Sequence, residues 1–367
     1  MQHWKNTYPY TPHSVEFDYF TEDAFLYDIE TTGLSARHHQ IYLIGCAYRS
    51  GGKITIHQYF AESPEDESCI LREFLRQASA FSSVITFNGK RFDEPFLRER
   101  CDKHHIPWED YPENHLDIYQ KCKPFKKLLS LPSLKQKSIE QFLGITRDDR
   151  YDGGELIRVY QSYLETRDAD ALHLLQLHNY EDVAGMITIL PIFAYRDLGS
   201  LALQIHSIEA HNYSDYEGQP QTELLLEGSL GEALPAPVRL HLFDCYIILN
   251  KETFRASIPL FSGTMRHYLP NYKDYVYLPL DDMIVLKELA SCIAKDKKQP
   301  AKPANCYVKK EGLFLCLPPK LTITEDACVF YPEYKAPLRY LLYDATNMNP
   351  IFFEQYLKCL LRHSSDL

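Results

Sequence analysis

The stretch Tyr27–Leu34 reads YDIETTGL and follows the apolar residues Ala24, Phe25 and Leu26. Its composition is that of a short strand, and Thr31-Thr32-Gly33 turns the chain at its end. Residues i and i+2 of a strand face the same way, so Asp28 and Glu30 point together. Two acids at the end of an otherwise apolar strand have two explanations. Either that end is solvated, or a cation sits there.

Outward from this stretch, the first half of the chain alternates between strand and helix patterns. IYLIGCAY and KITIHQYF read as two strands joined by RSGG, a hairpin turn. PEDESCILREFLRQASAF has helical periodicity, with Cys69, Ile70, Phe74 and Leu75 on one side. SVITFN is a further strand, DEPFLRERCDKH a helix and NHLDIY a short strand end. SIEQFLGI, GELIRVYQSYLE and the long segment from Asp170 to Tyr195 are helical. This order predicts an α/β domain with a mixed sheet flanked by helices.

Near residue 195 the texture changes. TELLLEGSL, VRLHLFDCYIIL and ASIPLF are β-like, and CYVKKEGLFLCL reads as a hairpin turning at KKEG. Helices are expected over DDMIVLKELASCIAKD and over NPIFFEQYLKCLL, the latter with Asn349 as N-cap and Pro350 at the first helical position. The expected division is an N-terminal extension (1–20), the α/β domain (21–195) and a smaller α+β C-terminal domain (196–367).

The bulk numbers agree with a globular protein. The chain has 367 residues, 45% hydrophobic and 24% charged. No signal peptide and no membrane span are read from it. Its ten cysteines form no CxxC pair and sit among apolar neighbours, which suits reduced, buried thiols in a cytoplasmic protein. The net charge of −11 argues against a nucleic-acid coat protein but not against an enzyme with a local basic track.

Two further elements bear on the acids of the strand. FNGKRFDEPFL places Asp93 at the start of a helix just after a strand, where an acid also suits the helix dipole. LHNYEDVAGM puts His178 and Asp182 four apart on one helical face. Asp182 borders Val183, Met186 and Ile187, and a carboxylate there needs a partner. The alternatives are a buried ion pair or an exposed edge position. Four carboxylates brought together would repel one another, and hard divalent ions such as Mg²⁺ and Mn²⁺ relieve that repulsion through oxygen ligands. Two such ions can activate a water at a phosphodiester. His178 would then be placed to take its proton.

YDIETTGL, FNGKRFDEPFL and HNYEDV, in this order, resemble the three exonuclease motifs of the DEDD superfamily. More closely, the chain resembles the YprB-like branch of ribonuclease H-fold proteins, which includes mitomycin-repair exonucleases. HLDIY…LPSLKQKSIEQFLGITRDD also looks like that family's linker. The resemblance covers about residues 20 to 195. It implies a ribonuclease H-like mixed sheet and two divalent metal ions, Mg²⁺ or Mn²⁺. It implies a metal-dependent 3′→5′ exonuclease acting on DNA, with single strands or 3′ ends as substrate, in repair or processing. Asp28, Glu30, Asp93 and Asp182 match the four metal-binding acids. The base departs from the two large subclasses, which carry Tyr four or His five residues before the last acid. Here His178 stands at four and Leu177 at five, so His178 is the expected base. Genomic habits of the family also suggest a helicase partner.

Thr31, Gly33, Leu34, Asn88, Lys90, Arg91 and Phe92 are expected to meet the nucleic-acid substrate. Phe92 would stack a terminal base or pack into the core. Residues 121 to 137 carry six lysines and no acid, either a substrate track or a solvated connection. His38 and His39 are expected at the surface. Tyr268, Tyr272, Tyr275 and Tyr277, interleaved with Arg266, His267 and Lys273, would form a stacking platform or a half-buried strand with its turns. Two other functions stay open: a nucleic-acid-binding scaffold with little cleavage, and an RNase or structure-selective endonuclease on the same fold.

Overall fold

The computed structural model describes residues 1–11, 18–147, 153–324, 326–346 and 348–362. The chain divides into two compact units, Met1–Arg196 and Asp197–Leu367.

Six strands form the sheet of the first unit: β1 (Gln2–Pro9), β2 (Ala24–Thr31), β3 (Ile41–Ser50), β4 (Lys53–Phe60), β5 (Ser83–Thr86) and β6 (Asn114–Asp117). Their order is β1-β4-β3-β2-β5-β6. β1, β4, β3 and β2 are antiparallel to their neighbours, whereas β2, β5 and β6 run parallel. The sheet is therefore mixed, as expected. Residues 2–9, grouped above with an extension, pair along the whole of β4. The RSGG turn closes β3 onto β4 through Gly51 (φ 55°) and Gly52 (φ 72°), both left-handed as a two-residue hairpin requires.

The helices are α1 (Glu67–Ala78), α2 (Asp93–Lys103), α3 (Ile118–Cys122), α4 (Phe125–Leu128), α5 (Gln136–Leu143), α6 (Gly153–Thr166) and α7 (Ala169–Thr188). On β2, Phe25, Tyr27 and Ile29 alternate with Leu26, Asp28 and Glu30. The aromatic pair packs against Phe74 of α1, at ring centroids 5.7 and 5.0 Å. The opposite face of β2 meets α7, whose Asn179 reaches Asp28. The buried face of α1 is Ile70, Leu71, Phe74 and Ala78; Cys69 is exposed. α7 stops at Thr188, earlier than the expected end at Tyr195, and 3-10 turns span Leu190–Ser200. Pro191 explains this, since it cannot donate to a preceding carbonyl and disfavours helix in the residue before it.

The second unit holds an eight-stranded and a three-stranded sheet. Its strands are β7 (Leu203–Ser214), β8 (Pro220–Leu230), β9 (Val238–Leu242), β10 (Cys245–Asn250), β11 (Thr253–Tyr268), β12 (Tyr275–Leu278), β13 (Met283–Leu286), β14 (Gln299–Pro300), β15 (Tyr307–Leu317), β16 (Val329–Phe330) and β17 (Arg339–Leu342), followed by α8 (Pro350–Arg362). α8 is the helix expected after Asn349, whose side chain accepts from the Phe352 N–H at 3.1 Å.

Two expectations fail here. DDMIVLKELASCIAKD is not a helix. Asp282 is left-handed (φ 46°), Ile284 and Val285 pair with Tyr277 and Val276, and only 3-10 turns follow. Leu286 and Leu289 are exposed, so the helical spacing had no surface to pack on. CYVKKEGLFLCL is one unbroken strand rather than a hairpin. Lys309, Lys310, Glu311 and Gly312 all pair with β11, and that long partner holds KKEG extended.

The described cysteines are all free. Six are buried and Cys316 is half-buried, but Cys69, Cys292 and Cys328 are exposed, so the expectation of buried thiols fails at those three. No helix among the described residues is long and apolar enough to cross a membrane.

Candidate active site

β2 delivers Asp28 and Glu30 from one face, and its pairing with β3 slips between Glu30 and Thr31. That irregularity ends the ladder where the acids stand. Asp93 is the first residue of α2 and is buried. Its carboxylate accepts from its own N–H and from that of Ile29, which ties α2 to β2. α7 supplies His178, which is buried, and Asp182. His178 Nε2 lies 3.1 Å from Asp182 Oδ2 and 3.5 Å from Glu30 Oε1. Ligand atoms of Glu30, His178 and Asp182 fall within 4.8 Å of one another, close enough to hold one metal ion.

The electrostatics join the other two acids to this trio. Burial raises the Asp28 carboxyl well above its ordinary value, and Asp182, Glu30 and Asp93 push it further, against the pull of Arg147. Asp93 is pushed up to about 7, chiefly by burial and against its two backbone donors. Asp182 goes the other way. Burial would raise it, but His178 and Arg147 outweigh that and hold it below the ordinary carboxylate value. Among the described residues, four carboxylates therefore meet with Arg147 as the guanidinium that offsets Asp28 and Asp182. A set of carboxylate oxygens beside one imidazole nitrogen suits a divalent ion such as Mg²⁺ or Mn²⁺.

The loop of the second motif is held by a residue the sequence reading passed over. Asp117, at the end of β6, accepts from the backbone N–H of Asn88 (3.0 Å), Lys90 (3.3 Å) and Gln120 (3.2 Å). Asn88 is left-handed there (φ 65°), a conformation asparagine tolerates. Lys90 and Arg91 are exposed beside it. Phe92 is half-buried and packs on Phe96 at 5.5 Å, so the core use of this ring is met. A cleft of about 560 Å³ is lined by Phe87, Asn88, Arg91, Tyr119, Lys126 and Lys135 among others. Two of the six lysines thus lie next to the Asn88 loop.

In the first motif, Thr31 Oγ1 donates to the Gly33 carbonyl at 2.9 Å, and Leu34 is exposed. His38 is exposed, but His39 is half-buried and lies against Gly33, where a Cβ would strike its ring. Leu177 lines a separate hollow with Leu174 and His173, away from the acids. In the second unit, Tyr268 packs on Tyr307 and Tyr334, both at 5.3 Å, and Tyr277 donates to Asp282 at 2.7 Å. Tyr268 and Tyr277 are thus engaged with neighbouring tyrosines and with Asp282, and Tyr272 and Tyr275 are half-buried.

Three further residues around the acids escaped the sequence reading. Buried Asn179 donates to Asp28 Oδ2 (3.3 Å) and accepts from Gln58 (3.1 Å). It sits directly over Gly45, where a Cβ would collide with it. Arg147 reaches Asp182 from the chain before α6, and Glu140 holds Arg147 there. The one local signal was the position of Asn179, three residues before Asp182 on the same helix face.

Residues 25–193 match the model of the RNase H superfamily. The matched span coincides with the sheet and helices that carry these side chains, and the architecture is an RNase H-like fold. The chain is also 28% identical, over 174 residues, to the uncharacterized protein YprB of Bacillus subtilis (strain 168). That similarity covers 47% of this chain and 42% of the relative, so less than half of either protein is shared. Among solved structures, a family B DNA polymerase from Pyrobaculum calidifontis is 14% identical with a TM-score of 0.39, covering 48% of this chain and 25% of that one. The zinc-bound E. coli ExoI–ssDNA complex is 11% identical with a TM-score of 0.29, covering 78% and 64%. Brucella melitensis NrnC with bound Mg²⁺ is 16% identical with a TM-score of 0.26, covering 50% and 89%. These three are too distant to carry a functional argument.

Proposed function

We propose that the first unit is a metal-dependent nuclease, a 3′→5′ exonuclease acting on DNA single strands or 3′ ends. The observation that carries this reading is the charge balance: Asp28, Glu30, Asp93 and Asp182 converge with Arg147 as their cation. Asp28, Glu30, Asp93 and Asp182 would hold two divalent ions, Mg²⁺ or Mn²⁺. When bound, such ions supply charge stabilisation and lower the pKa of water at a phosphodiester. His178 Nε2 already faces the acids and is the atom that would accept a proton from the attacking water. Asn179 orients Asp28, and Asp117 shapes the Asn88 loop toward the cleft. Arg91, Lys126 and Lys135 would attract the phosphates of the strand. The polarity and the preference for DNA rest on the motif resemblance. The helicase partner rests on it too and gains no support from the residues described.

The test is 5′-labelled single-stranded DNA incubated with the protein in Mn²⁺, in Mg²⁺ and in EDTA, beside Asp182→Asn. The reading expects a metal-dependent ladder of shortened products, with activity reduced at least ~100-fold in the variant. Inert DNA and RNA, with nucleic-acid binding unchanged in Asp182→Asn, would favour a scaffold instead. Internal cuts on a circular substrate would favour an endonuclease.

A further inference from the structure

Arg147 lies outside all three acid motifs, yet it ends against Asp182 of the cluster. Its guanidinium is almost fully buried, with 8% of the side chain exposed. Nε and Nη2 donate to Glu140 Oε2 and Oε1, both at 2.5 Å, in a bidentate pair. Glu140 is itself buried at 2%. Nη1 donates to Asp182 Oδ1, while Asp182 Oδ2 faces His178 at 3.1 Å. The two oxygens of Asp182 are thus divided, one to Arg147 and one to the acid cluster.

The surroundings are built around this contact. Gln136 Nε2 donates to the Asp182 carbonyl (3.0 Å) and to Glu140 Oε1 (3.1 Å), clamping α5 to α7. Gly185, three residues after Asp182, leaves the space the network fills. A Cβ there would lie 2.6 Å from Gln136 Nε2 and 2.7 Å from Arg147 Nη2, and would also meet Glu140 Oε1. Such distances require the network to shift.

We infer that Arg147 is a positioning residue of the metal centre, held by Glu140 so that Asp182 presents a single oxygen, Oδ2, toward Glu30 and His178. The inference rests on the proposed metal-binding role of the acids. Glu140 shares the Arg147 charge and fixes where the guanidinium stands, so Arg147 can act as a counter-ion to the acids or as a brace for Asp182, and the two roles predict opposite effects on metal binding. A plain counter-ion would compete with a metal, and its removal would tighten metal binding. A positioning residue predicts the opposite sign.

The experiment is Mn²⁺ binding measured by electron paramagnetic resonance on the full chain, without substrate. Wild type, Arg147→Met, Arg147→Lys and Gly185→Ala are compared, each checked for folding by circular dichroism. Arg147→Met is expected to weaken Mn²⁺ binding about 10-fold, as loss of a residue orienting a ligand does. Arg147→Lys keeps the charge but not the planar fork, and is expected to recover part of that loss. Gly185→Ala should weaken binding in the same direction with Arg147 still present. If Arg147→Met does not fold, Arg147→Lys and Gly185→Ala decide the matter. Wild-type or tighter binding in the folded variants overturns the inference and leaves the metal reading intact. A wild-type protein that binds no Mn²⁺ overturns both.

Discussion

Glu67 lies in the same unit as the acids of β2, buried Glu30 and half-buried Asp28, and the two groups are balanced in opposite ways. Glu67 is fully buried at the start of α1. It accepts from Arg100 Nε (2.8 Å) and Nη2 (2.5 Å), from the Ile41 N–H (2.8 Å), and it meets His104 Nε2 at 2.7 Å. One carboxylate has a bidentate cation, a backbone donor and an imidazole, and that completes its requirements. At the end of β2 four carboxylates have Arg147, which is already shared with Glu140. A buried acid is therefore no sign of chemistry by itself. The excess of acid over cation is the sign, because that excess is what a divalent ion would relieve.

Opposite responses to substitution would sharpen this contrast, and like responses would break it. The largest effect is expected at the balanced cluster. Arg100→Met leaves Glu67 buried and charged with its main partner gone, and should lower stability by about 3–5 kcal/mol in urea unfolding. A change under about 1 kcal/mol would show that Glu67 is not held by that pair. Next comes the contact that seats α7 on β3. Gly45→Ala drives a Cβ into Asn179 and to 2.7 Å from Val183 Cγ2. It should cost about 1–3 kcal/mol and lower nuclease activity with it. Unchanged stability would mean that α7 is not packed against Gly45. Third is the unbalanced cluster itself. In EDTA, Asp28→Asn removes one of four repelling charges and should stabilise the protein by about 1 kcal/mol while abolishing activity. Destabilisation there would place Asp28 with Glu67 as a structural acid.

The smallest effect is expected where β1 pairs with β4, whose buried His57 has cations for neighbours. His57 is held down to about 4 by burial, then by His3, Lys5 and Arg76. His3 Nε2 lies 2.8 Å from His57 Nδ1. The folded state therefore binds fewer protons than the unfolded one between the usual histidine value, about 6.5, and about 4. The contribution of this pair is present above that window and is lost as pH falls through it. Protection factors of the β1 amides, corrected for the intrinsic pH dependence of exchange, should fall as pH drops through this range in wild type and lose that fall in His57→Asn. Identical pH profiles for the two would remove His57 as the cause.

Much of the first unit was legible in the sequence because its signals are local. The i, i+2 spacing of Asp28 and Glu30 and the i, i+4 spacing of His178 and Asp182 carry their own geometry, and RSGG names its own turn. Arg147 could not be read this way. It lies 35 residues from Asp182 in sequence, and nothing near it marks which carboxylate it meets. Asp117 carries no local mark either, and its role depends on a loop 29 residues earlier folding over it. In the second unit DDMIVLKELASC has helical spacing, but the strand partner of Ile284 and Val285 decided its form. Likewise KKEG has turn composition, and sixteen residues of β11 overrode it. Local pattern set the elements where burial follows the chain's own period and failed where a distant strand supplied the partner.

The most direct test of the central claim is thermal unfolding of wild type, Asp28→Asn, Glu30→Gln and Arg100→Lys with Mn²⁺ and with EDTA. An ion that binds the folded state alone stabilises it by about 2.7 kcal/mol at a hundredfold excess over its dissociation constant. The account predicts a clear Mn²⁺-dependent rise in Tm for wild type and for Arg100→Lys, and little or none for the two β2 variants. An equal rise in all four proteins, or none in wild type, would contradict it.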